Sequence, residues 1–154
     1  MNQFLEKFIN SVFIRPGSAL DLGAGDFKDV KALKKECWFC EGVDLKTGAD
    51  LKKPYLSQNA SLDLVFSNYV FQFIKNKNQF LKTVSDNLKK DGWLFIHTFD
   101  DSDKAMKSGI SEEFIKQILL DNGFKDISTK VFDYFDDAPG HNHWHRILEV
   151  TAQK

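Results

Sequence analysis

Apolar positions along this chain repeatedly change their spacing, and the changes read as helices alternating with strands. Residues 2–13 put Phe4, Leu5, Phe8, Ile9 and Val12 on one helical face until Arg15-Pro16-Gly17 breaks the pattern. Ser18 to Leu22 is short, apolar and followed by glycine, as a buried strand would be. Phe27 to Lys35 returns to helical spacing, with Val30 and Leu33 inward and lysines outward. Trp38 to Leu45 predicts a second strand carrying Asp44 at its end. Lys46 to Tyr55 is loop-like, with at most a very short strand around Ala49-Asp50-Leu51. Leu62-Asp63-Leu64-Val65-Phe66 is the clearest strand and runs into Ser67-Asn68.

The second half repeats the alternation. Asn78 to Leu88 carries Phe80, Leu81, Val84 and Leu88 on one helical stripe, and Lys90-Asp91-Gly92 turns into a strand from Trp93 to Thr98. Asp100 to Gly109 reads as a polar, mobile loop. Ser111 caps a helix whose first turn holds Glu112 and Glu113, and which runs to Asn122 and stops at Gly123. Ile127 to Tyr134 and Trp144 to Ala152 predict two closing strands around the turn Asp136-Asp137-Ala138-Pro139-Gly140. Strands alternating with helices, then a hairpin, predict an α/β fold with a mostly parallel sheet and an antiparallel end. No repeat, low-complexity tract or linker divides residues 1–154, so one domain is expected, with residues 1–14 as an N-terminal helix.

Composition narrows the function classes. The 154 residues are 42% apolar and 28% charged, with 15 Phe to fill a core. A net charge of −1 with interspersed lysines and acids gives no bulk attraction to nucleic acid or a membrane surface. No run approaches a membrane span, and the N-terminus lacks a signal-peptide layout, so a cytoplasmic location is expected. Cys37 and Cys40 flank Trp38-Phe39 within an apolar, strand-like run, and read as reduced structural cysteines.

Chemistry concentrates first at Ala19-Leu20-Asp21-Leu22-Gly23-Ala24-Gly25-Asp26-Phe27, where a strand ends in an acid and turns sharply through two glycines into a helix. Gly23 and Gly25 permit unusual backbone angles and let a ligand approach the main chain. Asp44 lies 21 residues beyond Gly23, close to the separation at which nucleotide-type folds place an acid for ribose hydroxyls.

With these intervals the chain resembles the class I S-adenosylmethionine-dependent methyltransferases, from Pro16 to the C-terminus. The resemblance rests on Leu20-Asp21-Leu22-Gly23-Ala24-Gly25, Gly42-Val43-Asp44-Leu45, Ala49-Asp50-Leu51, Leu62-Asp63-Leu64-Val65-Phe66-Ser67-Asn68 and Leu88-Lys89-Lys90-Asp91-Gly92-Trp93-Leu94. It implies a Rossmann-like sheet of seven strands, mostly parallel with the last antiparallel and helices on both faces, and S-adenosylmethionine as cofactor, leaving S-adenosylhomocysteine as product. It implies that Asp21 and the turn Gly23, Ala24 and Gly25 hold the methionine part. Asp44 would bind the ribose and Leu45 would pack on the adenine. Asp50 would accept from the adenine amino group beside the Leu51 backbone, and Ser67 and Asn68 would face the sulfonium. Asp44 as a solvated strand end and Asp50 as a turn former are the plainer alternatives. One departure stands out: the family has a small residue where this chain has Phe27, which bears on helix packing and cofactor pose. A nicotinamide-binding fold would want glycine at Lys28.

On this topology His97 and the run His141-Asn142-His143-Trp144-His145 fall at the ligand edge of the sheet. His143, His145, Tyr69 and His97 are the candidate catalytic groups, as base or substrate-orienting residues. Alternating imidazoles can also hold a metal such as zinc or merely line a polar mouth; no metal is assigned to them. Tyr69, Phe71, Phe73, Phe99 and Trp144 could cover a small organic acceptor, with Phe71 and Phe73 equally readable as core. The acids Asp100, Asp101, Asp103, Asp133, Asp136 and Asp137, and the absence of proline after Asn68, argue against a nucleic acid and for a neutral or cationic small molecule accepting at N, O or S. Residues 1–14, 99–110 and 135–143 are the available cover, which leaves an open site or one completed by a homodimer partner. A cofactor-binding module without catalysis, or an activator of another methyltransferase, is the alternative function.

Overall fold

The computed structural model describes residues 1–138 and 140–154, so Pro139 of the closing turn lies outside the described residues. The elements follow in the order α1 (Gln3–Val12), β1 (Ser18–Leu22), α2 (Lys28–Lys35), β2 (Phe39–Val43), β3 (Leu62–Asn68), α3 (Lys77–Asn87), β4 (Leu88–Phe99), α4 (Glu112–Asp121), β5 (Lys125–Asp136) and β6 (His143–Gln153). Among the described residues they build a sheet of six strands in the order β2-β1-β3-β4-β6-β5. β2, β1, β3 and β4 are mutually parallel, and β6 runs antiparallel to both β4 and β5.

The expected seventh strand is absent, and local chemistry explains why. Asp44 caps a 3₁₀ turn over Leu45–Thr47, and Gly48 follows in the left-handed region at φ 90°. Asp50 then closes another turn, its carboxylate accepting from the Lys52 amide and its carbonyl from the Lys53 amide. Turns on both sides leave no extended stretch at Ala49-Asp50-Leu51, and β2 remains the edge strand. Leu51 is buried in the core rather than paired in the sheet.

The two faces of the sheet carry different helices. Leu94, Ile96, Leu148, Val150 and Ala152 meet Phe80, Leu81 and Val84 of α3 and Ile115, Ile118 and Leu119 of α4. On the opposite face Ala19, Leu64, Phe66 and Phe95 meet Leu5 and Ile9 of α1 and Val30 and Leu33 of α2. Alternation along each strand enforces this partition. Phe8 of α1 packs on Trp93 and Phe95, and Phe4 packs on His97, Phe132 and Tyr134. Among the described residues no helix is long and apolar enough to cross a membrane.

Phe27 sits at the N-cap of α2 in the left-handed conformation, at φ 62° and without a side-chain cap. Such a backbone costs a non-glycine residue about 1–2 kcal/mol. Packing offsets it: a side chain at Gly42 would approach Val30 Cγ2 to 2.6 Å, Ala24 Cβ to 2.9 Å and Phe27 Cδ1 to 3.1 Å. Gly42 therefore lets α2 and the turn before it lie directly on β2. We expect Gly42→Ala to cost about 1–3 kcal/mol through overpacking, measured as a lower urea midpoint. An unchanged midpoint would show that α2 is not held by this contact.

Candidate functional site

Two adjoining regions form at the carboxyl ends of the parallel strands. The first surrounds the turn after β1. Gly23 and Ala24 amides both donate to the Val43 carbonyl, at 2.8 and 3.0 Å, and the Gly25 amide donates to Asp44 Oδ2 at 3.1 Å. The turn is thus tied to the end of β2. Asp44 Oδ1 also accepts from the Lys46 amide at 3.0 Å, which leaves each carboxylate oxygen further accepting capacity. At Gly23, φ is 93° and a Cβ would come within 2.3 Å of Val70 Cγ2, so only glycine fits. At Gly25 a Cβ would meet nothing within 4 Å, so open space lies over the main chain there.

Acids dominate this region. Asp21 is 3% exposed, and burial, then the charges of Asp29 and Asp44, push its carboxyl well above the usual carboxylate range. Asp29 Oδ1 accepts from the Asn2 amide at 2.7 Å and Asp29 Oδ2 from Asn68 Nδ2 at 2.9 Å. Asn68 Oδ1 is buried and has no partner among the described residues. No Lys or Arg pairs with Asp21, Asp29 or Asp44 among the described residues. The arrangement favours a cationic ligand. Leu45 is exposed beside it, while Asp50 is engaged in its own turn and the Ser67 hydroxyl donates to the Leu22 carbonyl at 2.7 Å, inside the framework.

The second region is a cavity of about 550 Å³ under the start of α1. Period-two alternation builds it. The contact of His97 with Glu149, at 2.9 Å, identifies the face under α1, which therefore also holds His143, His145 and Ile147 of β6. Register sets Asp136 opposite His143 and Tyr134 opposite His145. The cavity draws on all three cover segments: Asn2, Gln3 and Phe4; Phe99, Ala105 and Met106; and Asp136, His141 and His143, with Tyr69 between. His97 itself is fully buried beneath Phe4 and does not line the cavity. Phe71 is a core residue against Phe80, Phe73 is exposed, and Trp144 lies outside on Phe135. Tyr69 has a left-handed backbone at φ 60°, and burial, then Tyr134, Asp136 and Asp29, raise its phenol. Cys40 is buried in β2 with its thiol pushed up to about 12, chiefly by burial, whereas Cys37 is exposed.

Asp103 is the residue that local sequence patterns hide. Its carboxylate accepts from the Ala105, Met106 and Arg146 amides, at 2.8, 2.6 and 2.5 Å, and holds His145 Nδ1 at 3.1 Å. It thereby folds the loop before α4 and orients a buried imidazole at the cavity wall. The turn pattern of an Asp two residues before an amide was a local signal; the partnership with His145, 42 residues away, was not. Asp29 and Asn2 were likewise unmarked, because their link forms only when α1 meets α2.

Burial would raise the Asp103 carboxyl, but the hydrogen bonds from the Arg146 and Met106 amides and from His145 outweigh it and hold the group below its ordinary range. A depressed folded-state value adds stability above the unfolded Asp value, about pH 4, and that stability is lost as pH falls through the folded value. Unfolding free energies of wild type should therefore fall more steeply than those of Asp103→Asn as pH drops from about 5 through the folded value. Parallel curves would refute the assigned network.

A family model described as a methyltransferase domain matches residues 1–147. No curated protein matches the sequence. Solved structures share the fold. A phosphoethanolamine N-methyltransferase 2 from Haemonchus contortus, in complex with S-adenosyl-L-methionine, superposes with a TM-score of 0.78 at 18% identity, over 99% of this chain and 52% of that one. This chain thus spans about half the length of that protein. The 1,6-didemethyltoxoflavin-N1-methyltransferase of Burkholderia thailandensis, with 1,6-didemethyltoxoflavin and S-adenosylhomocysteine bound, gives 0.74 at 18% identity, covering 96% of this chain and 75% of that one. A SAM-dependent methyltransferase from Archaeoglobus fulgidus gives 0.73 at 15% identity, covering 99% and 92%.

Proposed function

The chain belongs to the methyltransferase-domain family, and on that premise we propose that it transfers a methyl group from S-adenosylmethionine to the N, O or S atom of a small organic acceptor. The observation that carries the reading is that the acid-rich turn after β1, with open space over Gly25, adjoins a cavity of about 550 Å³ through Asn68-Tyr69 and the Asn2–Asp29 link.

The residues around that turn fit the cofactor. Three carboxylates without basic partners, the orphaned Asn68 Oδ1 and the open space over Gly25 suit a ligand carrying a sulfonium and an ammonium. Asp21 and the Gly23, Ala24 and Gly25 amides would hold its methionine part, with Asn68 Oδ1 facing the positive end. Asp44 would accept from the ribose hydroxyls, while Leu45, Asp50 and the Leu51 backbone would receive the adenine. Ser67 supports this wall by holding the end of β1 through Leu22. When bound, the cofactor supplies a sulfonium methyl group for in-line displacement. The protein's part is positioning and exclusion of water. Phe4, Tyr69, Phe99 and Met106 supply apolar walls for the acceptor, and His143 and His145 orient its nucleophilic atom. Asp103 keeps His145 in place, and His97 supports the wall through Phe4 and Tyr69. The acidic rim, with Asp136 in the cavity itself, suits a neutral or cationic molecule rather than a phosphate chain.

Calorimetry with S-adenosylhomocysteine tests the cofactor assignment. Asp44→Ala should weaken binding about 10- to 100-fold, the range for a charge-assisted hydrogen bond; unchanged affinity would move the ribose elsewhere. A mass-spectrometric screen of small-molecule pools tests transfer. Replacing both His143 and His145 by Ala should reduce turnover at least about 10-fold while cofactor affinity stays near wild type. Cofactor binding without any methylated product would favour a silent binding module.

A further inference from the structure

We infer that His141, His143 and His145 form a binding site for a single divalent d-block cation of the zinc type at the cavity wall. One ring nitrogen from each lies within 4.8 Å of the others. Zinc–nitrogen bonds of about 2.0–2.1 Å in a tetrahedron set ligand nitrogens about 3.3 Å apart, so the three must converge by up to about 1.5 Å, within the reach of side-chain rotation on a hairpin.

Clustering alone would be weak, and the hydrogen bonds around the rings decide it. His141 Nδ1 contacts Asp136 Oδ2 at 2.7 Å, His143 Nδ1 contacts the His141 carbonyl at 2.6 Å, and His145 Nδ1 contacts Asp103 Oδ2 at 3.1 Å. A carbonyl and an ionised carboxylate only accept, so each Nδ1 carries the proton. A proton on Nδ1 leaves Nε2 as the nitrogen of each ring that can offer a lone pair to a cation. Among the described residues no donor engages any of those three atoms. Two carboxylates and a carbonyl on the far nitrogens are the outer partners that hold metal-binding imidazoles in one tautomer and raise their basicity. An ordinary surface histidine has no need of three such partners in a row.

Charge agrees with the geometry. Among the described residues no Lys or Arg lines the cavity, and Asp136 and Asp103, in contact with His141 and His145, offset a dication behind its ligands. Three imidazoles select zinc, cobalt, nickel or copper over magnesium or calcium, which prefer oxygen. Three protein ligands leave a coordination position toward the cavity. On the methyl-transfer reading above, that position would take an alkoxide or thiolate of the acceptor, which keeps a further lone pair for the methyl group. The cation site itself does not depend on that reading.

The test is cobalt titration of untagged, EDTA-stripped protein, followed by visible d–d absorption and by metal content after gel filtration. The expected result is one equivalent of Co²⁺ per chain, displaced by Zn²⁺. His143→Ala should lower Co²⁺ affinity on the order of 100-fold, and Asp103→Asn about 10-fold, as loss of an outer partner does. Absence of d–d bands in the wild type, or equal affinity in wild type and His143→Ala, overturns the site. S-adenosylhomocysteine calorimetry on the same preparation separates the two readings: lost cofactor binding with Co²⁺ retained sinks the methyl-transfer reading alone, and the reverse sinks the cation site alone.

Discussion

The register of β6 between β4 and β5 is the constraint on which the candidate acceptor site depends. Side chains alternate along a strand, so a slip of one residue would turn the whole set to the opposite face. With Phe99 opposite Ile147 and Asp136 opposite His143, the imidazoles and Tyr134 face α1. A slip would turn them toward the face that α3 and α4 cover and take Leu148 and Val150 out of that core, where both are fully buried. The cost of exposing such side chains, about 1.5–3 kcal/mol each, enforces the register. Core burial on one face thereby places chemistry on the other.

The candidate cofactor side is built on the opposite logic, since it holds groups that folding alone would not choose. Asp21 is buried beside two further acids, and Asn68 Oδ1 is left without a partner. Burial of unpaired polar groups costs about 1–3 kcal/mol each. A framework carrying such costs at one strand edge is suited to a positive ligand that relieves them.

Much of the framework was legible in the sequence because it depends on local patterns. Gly23 and Gly25, the apolar run at Leu62–Phe66 and the cap at Ser111 announce their elements within a few residues. The strand expected at Ala49-Asp50-Leu51 failed because turn chemistry at Asp44, Gly48 and Asp50 outweighed three residues of apolar alternation. Phe27 was visible as a departure, but its resolution was not: the ring lies over Gly42, 15 residues away, in a contact that no periodicity encodes. The cavity was legible as three candidate segments and four histidines, yet sequence could not divide His97, sealed under Phe4, from His145 at the wall. Nor could it single out Asp103 among six acids at the same edge, because its distinction is the set of amides that converge on it.

Asp103 also shows how one carboxylate can couple a loop to a side chain of the candidate site. Its carboxylate uses two amides to shape the loop after β4, and the Arg146 amide and His145 to tie that loop to β6, so loop folding and imidazole placement are one event. Asp29 acts similarly on the other side, joining the first residues of α1 to Asn68 at the end of β3. In each case one carboxylate anchors a covering segment to the sheet edge that it covers. A cover anchored at both flanks stays registered with the strands beneath it, and the distance between the turn after β1 and the cavity is then set by the sheet. Methyl transfer by in-line displacement needs that fixed distance more than it needs any proton-moving group. On the methyl-transfer reading, Asp29 and Asp103, by anchoring residues 1–14 and 99–110, would supply the positioning that this chemistry demands.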